Sequence, residues 1–159
     1  ILRGNMKNFY TGETQQLVYA FFLQFSRLEF ALKESGYVKA GLRDSAEPDW
    51  KRFIEQYSDS YALDKLEKEL MSKPPLRQVY RNEQISWVDF EFPEESTELN
   101  NLVFALKTMR NNLFHGGKFG HKSWDDPERV EFVLSKGLHT IEKLSKLDGD
   151  LTAHYRGSY

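Results

Sequence analysis

Apolar residues return at helical spacing over most of this chain. Leu17, Phe21, Phe25, Leu28 and Leu32 mark a helix predicted from about Thr14 to Ser35, with Gly36 as its C-terminal stop. Val18, Phe22, Leu23 and Phe30 widen that stripe until the helix is apolar on several sides. Such a helix belongs at the centre of a bundle or at a subunit interface.

Shorter elements follow. "SAEPDWKRFIEQY" predicts a loop into a helix, with Pro48 near its start and Trp50, Phe53, Ile54 and Tyr57 as apolar positions. "YALDKLEKELM" repeats Tyr61, Leu63, Leu66 and Leu70 before the prolines at Pro74 and Pro75 end it. Between Leu76 and Pro93 the period changes: "QVY" and "ISWVDFEF" are rich in β-branched and aromatic residues, and "RNE" stands between them as a turn. That segment is either a small hairpin or an irregular insertion.

Two longer helices close the pattern. The first runs from about Thr97 to His115, with Leu99, Leu102, Val103, Leu106, Met109 and Leu113 on one arc and Gly116 and Gly117 placed as a left-handed cap. The second starts at "DDPE", where Asp125 or Asp126 can cap and Pro127 suits the first turn, and continues to Leu144 and Leu147. Gly137 interrupts it where another backbone can approach closely. The expected organisation is an N-terminal segment at 1–13, one helical domain at 14–147 and a loosely held polar tail at 148–159. The expected fold class is all-α, a bundle of four to five helices.

Composition narrows the setting. A chain of 159 residues without cysteine needs no disulfide framework and has no thiolate metal ligand, which suits a reducing, cytoplasmic compartment. The opening residues do not read as a secretory signal; Met6 is the expected natural start, with residues 1–5 an upstream or expression-derived remnant. The apolar run Leu17 to Phe25 is too short for a membrane span, so a soluble protein without a membrane partner is expected.

Net charge is −2, which gives no global basic field. Locally the balance differs: 26 consecutive residues, Leu99 to Trp124, contain no acid, while Lys107, Arg110, Lys118 and Lys122 are basic and His115 and His121 can become so. This window points to an anionic ligand.

Arg110 is the unusual residue in it. At about 100° per residue it falls between Leu106 and Val103, inside the apolar arc. A guanidinium there needs a carboxylate or a bound anion, unless it snorkels out past Phe114. Glu29, on the inward edge of the first helix, is the expected partner. His115 lies roughly 7.5 Å further along the axis and about 140° around it. It occupies the C-terminal end of the helix, where the carbonyl ends favour positive charge, and an imidazole so placed can give or take a proton.

"RNNLFH", Arg110 to His115, resembles the R-x4-6-H motif of HEPN domains (higher eukaryotes and prokaryotes nucleotide-binding), including the polar residue after the arginine, here Asn111. The motif ends a late amphipathic helix, precedes Gly-Gly-Lys and follows a long first helix containing "RLEFALK". From Thr14 to Leu147 the order of elements is also similar. The resemblance implies a metal-independent endoribonuclease, working without a cofactor as a homodimer with the two motifs facing each other. It assigns His115 to acid and base work on the ribose 2′-hydroxyl and the 5′-oxygen, and Arg110 to the scissile phosphate. Products would carry 2′,3′-cyclic phosphate and 5′-hydroxyl ends. Asn111 or Asn112 would orient the phosphate or the histidine, with Asn111 favoured by the family pattern. Some HEPN proteins are toxins held by a nucleotidyltransferase-like antitoxin, or defence effectors; others are not demonstrably catalytic. A silent nucleotide- or protein-binding module, or a helical dimerisation protein in which His115 only caps a helix, are the rival expectations.

Other features add contacts rather than chemistry. Lys118, Lys122 and His121 are expected to touch RNA backbone, and Phe119 and Trp124 can stack on bases or pin their loop. The H-x5-H spacing of His115 and His121 is no strong zinc signature, and "GGK" lacks the remainder of a phosphate loop.

Overall fold

The computed structural model describes residues 12–115 and 126–158. Over these residues the protein is mostly helical, with two small antiparallel ribbons. The long first helix, α1 (Glu13–Glu34), runs through the centre and packs against the last two helices, the first ribbon and α4 (Glu98–Phe114). Phe21, Phe25, Leu28, Ala31 and Leu32 on α1 are buried, as its wide apolar surface requires. Gly36, at φ +88°, ends the helix: its amide reaches the Lys33 carbonyl and the Tyr37 amide the Leu32 carbonyl, at 3.3 and 2.9 Å. Those two bonds satisfy carbonyls the helix end would leave open.

Two differences from expectation concern segments with little apolar content. The stretch before Trp50 is more than a loop, since β1 (Val38–Ala40) and β2 (Ala46–Pro48) pair antiparallel. Three-residue strands that are almost wholly exposed carry no alternation to detect. The C-terminal tail, expected to be loosely held, is a helix, α6 (Gly149–Arg156), docked on α1. Its apolar content is small, but Leu151 is buried and Asp148 caps the first turn, accepting the Leu151 amide at 2.7 Å. Arg27 of α1 donates to the carbonyls of His154 at 2.6 Å and Tyr155 at 3.1 Å. A fixed cation at the carbonyl end of a helix satisfies acceptors and opposes the helix dipole.

The remaining helices follow their caps. α2 (Trp50–Tyr57) starts at Asp49, and α3 (Lys65–Ser72) starts with a capping box in which Asp64 and Glu67 each accept the other's amide. In α3 the apolar pattern misplaces two residues: Leu66 is partly exposed, and Glu67 is fully buried in the position an apolar residue would take. α5 (Pro127–Leu144) is capped by Asp126, with Pro127 in its first turn. Gly137 lies where α1, α4 and α5 meet, and a Cβ there would stand 2.3 Å from Met109 Cε and 3.0 Å from Phe21 Cε2. Only a glycine permits that approach without repacking.

Between α3 and α4 the chain does form a hairpin, β3 (Arg77–Arg81) with β4 (Gln84–Val88). Asn82 and Glu83 make its two-residue turn with φ of 50° and 59°, the left-handed pair that matches strand twist. Beyond Val88, Phe90 and Phe92 leave the ribbon and pack edge-to-face on Phe104 of α4. None of the described helices is long and apolar enough to cross a membrane.

Candidate functional site

α4 carries the candidate chemistry at its C-terminal end. Thr97 caps its start, accepting the Asn100 amide at 3.2 Å, and the His115 amide still reaches the Asn111 carbonyl at 2.9 Å. Leu99, Leu102, Leu106, Met109 and Leu113 are buried and fix the rotation of the helix about its axis. Arg110 therefore emerges at the edge of the core, its side chain 35 % exposed. Its guanidinium carbon stands 5.7 Å from the centre of the Phe25 ring, and Nη2 lies 3.8 Å from Glu29 Oε1. The same Glu29 oxygen accepts the Trp50 indole N–H at 3.1 Å. The expected juxtaposition of Arg110 and Glu29 is present, and the guanidinium rests over Phe25 instead of running out past Phe114.

The two asparagines diverge. Asn112 is buried and donates from Nδ2 to the Leu76 carbonyl at 2.9 Å, fastening the lead-in of the hairpin to α4. Asn111 is exposed, and its Oδ1 accepts from Arg110 Nη1 at 2.8 Å. His115 follows one turn after Asn111 on the same side of the helix, exposed, with its ring edge-on to Phe114 at 5.3 Å between centroids. Arg110 and His115 leave the axis about 140° apart. The guanidinium is bonded to Asn111, whose side chain leaves the axis between the two directions.

Apolar surface surrounds this end of the helix. Phe114 is 68 % exposed and packs edge-on against Phe22 of α1, which shares a stripe with the exposed Tyr19 and Leu23. Lys118, His121 and Lys122, the expected backbone contacts, lie outside the described residues. So do Gly116, Gly117, Phe119 and Trp124.

One turn before Arg110, Lys107 is half-buried beside the same carboxylate. Burial pushes its ammonium below the usual lysine range; Glu29 opposes that, and the charges of Arg110 and Lys39 reinforce it. Among the described residues the ammonium makes no hydrogen bond or ion pair. Asn100, Val103, Phe104 and Lys107 form one stripe of α4 and face Trp50 and Ile54 of α2 across a cleft of about 610 Å³. Sequence reasoning placed Lys107 only among the bases of the acid-free window. The spacing of those four residues was the available signal.

A second cluster went unforeseen, between α3 and α5. The buried Glu67 carboxylate accepts from the Tyr61 hydroxyl, from the Asp64 amide at 3.0 Å and from Lys143 Nζ at 2.6 Å. Asp64 Oδ2 stands 2.7 Å from His139 Nε2 and 3.6 Å from Lys143 Nζ. Burial would raise the Asp64 carboxyl, but the hydrogen bond with His139, the Glu67 amide and the charges of His139 and Lys143 bring it down to about 2. A buried carboxylate with both oxygens engaged is tolerable; here it staples two helices together. The D-x-x-E spacing at Asp64 and Glu67 was the sequence signal for its first half.

In comparisons with known proteins no family model matches the chain, and neither a curated protein nor a solved structure does.

Proposed function

We propose that this protein is a HEPN-like, metal-independent endoribonuclease that acts as a homodimer, a toxin or defence effector in the cytoplasm. The observation that carries the reading is the arrangement at the end of α4: Arg110 braced by Glu29 at 3.8 Å and bonded at 2.8 Å to Asn111, which shares a face of the helix with an exposed His115 one turn on. A guanidinium offers a planar fork for a phosphodiester, and an exposed imidazole beside it can exchange protons with solvent and substrate.

In this mechanism Arg110 holds the non-bridging phosphate oxygens and stabilises the charge that builds on them. His115 serves the proton transfers: the 2′-hydroxyl loses its proton as it attacks phosphorus, and the 5′-oxygen gains one as it leaves. The products are a 2′,3′-cyclic phosphate and a 5′-hydroxyl. Asn111 positions the guanidinium. The stripe of Tyr19, Phe22 and Leu23 with the exposed Phe114 gives a second copy apolar surface next to the motif, which supports pairing of two motifs across an interface. A nucleotidyltransferase-like antitoxin fits the same family pattern.

Incubation of the purified protein with total RNA, followed by analysis of the new ends, tests the reading. Cleavage should leave cyclic phosphate and 5′-hydroxyl ends, and His115→Ala should abolish it while folding and dimerisation persist. Cleavage that survives in that variant, or that stops on adding a metal chelator, would sink the mechanism.

A further inference from the structure

The cleft between α2 and the first half of α4 is separate from the phosphate-binding fork but shares a wall with it. Trp50, which borders the cleft, holds Glu29 from the other side. The floor is apolar, made by Trp50, Ile54 and Val103, and the half-exposed Phe104 ring stands over it as a side wall. A volume of about 610 Å³ lies in the range of small-molecule sites.

Charge gives the cleft a direction. At one end Lys107 feels the charges of Arg110 and Lys39 and of one carboxylate, Glu29, which is already engaged by the Trp50 indole and by Arg110. That end has cationic excess, and the Lys107 ammonium is the member that faces the cleft without a partner of its own among the described residues. Towards the opposite end the exposed carboxylates Asp59 and Glu95 form the rim, beside the hydroxyls of Ser58 and Thr97, while Glu55 is paired at 3.8 Å with the exposed Lys51 of the same rim. Those rim carboxylates repel a chain of phosphates, so a nucleic-acid backbone is disfavoured here. A molecule with one negative end and an uncharged body meets neither obstacle.

We propose that this cleft binds a small monoanionic amphiphile, its flat or branched apolar body seated between Ile54 and Phe104 and its single carboxylate or sulfonate on the Lys107 ammonium. The ligand supplies the negative charge that the half-buried amine lacks, and its body covers the exposed face of Phe104. This site stands independently of RNA cleavage.

The probe is 8-anilino-1-naphthalenesulfonate, one sulfonate on an aromatic body, titrated into the full protein and followed by fluorescence. Saturable one-site binding is expected, displaced by 2-naphthoate and far less by the uncharged 2-naphthalenemethanol. Lys107→Met, which keeps the aliphatic stem, should weaken binding about tenfold or more, the loss of one charge-assisted contact; Lys107→Arg should retain it. Equal affinity in wild type and Lys107→Met would overturn the proposal. So would a signal lost in Phe114→Ser instead, which would place the dye on the open α1 surface.

Discussion

Glu29 Oε1 stands between two donors, 3.8 Å from the Arg110 guanidinium and 3.1 Å from the Trp50 indole nitrogen. This one oxygen couples the candidate phosphate fork to α2. Glu29→Gln keeps the shape and removes the charge. Because both side chains retain solvent contact, the stability loss should stay within about 1 kcal/mol, while RNA cleavage should fall as Arg110 loses its brace. Thermal unfolding and a cleavage assay on the same variant check this; no change in either would show that the two residues are not partners.

The adjacent asparagines should separate stability from activity. Asn112→Ala removes a buried donor and leaves the Leu76 carbonyl unpaired, a loss of about 1–3 kcal/mol. Asn111→Ala removes an exposed group that accepts from Arg110, so stability should change by less than about 0.5 kcal/mol while cleavage slows. Denaturant unfolding of both variants beside their cleavage rates is the measurement. A destabilised Asn111→Ala protein with full activity would contradict the assignment.

Acid should act through Asp64. Its folded carboxyl titrates at about 2, below the roughly 3.9 of an unfolded aspartate. The contribution of its pairing is therefore complete above about pH 4 and is lost as pH falls toward about 2. Asp64→Asn preserves a side chain able to cap α3 and removes that titration. The variant should be less stable than wild type at neutral pH, and its stability should vary less across the acid window. Denaturant midpoints measured through that window decide it; parallel curves for the two proteins would remove Asp64 from the acid response.

The parts legible in the sequence are those where burial imposed a period. The period of Leu99 through Leu113 carries both the existence and the rotation of α4, and that rotation brings Arg110 to Glu29. "DDPE" marked a helix start with Asp125 or Asp126 as its cap, and "RNE" left a hairpin turn or an irregular insertion open, because caps and turns use particular side chains for local reasons. Three features lacked such a signal. The strands Val38–Ala40 and Ala46–Pro48 are too short and exposed to alternate. α6 depends on Arg27, more than 120 residues away, for its final carbonyls. Glu67 occupies an interior position that an apolar pattern assigns elsewhere, because its partners Tyr61 and Lys143 compensate it only once α3 and α5 meet.

α1 touches three neighbours through residues close together on one rigid segment: Phe21 beneath Gly137 of α5, Arg27 on the carbonyls of α6, and Glu29 opposite Arg110 of α4. A slide of α1 by one helical turn, about 5.4 Å, would break all three at once. The helix thus works as a ruler whose graduations are read by different partners, and the seating of the last helix on Arg27 checks the alignment of the Arg110 fork at Glu29, two residues further on.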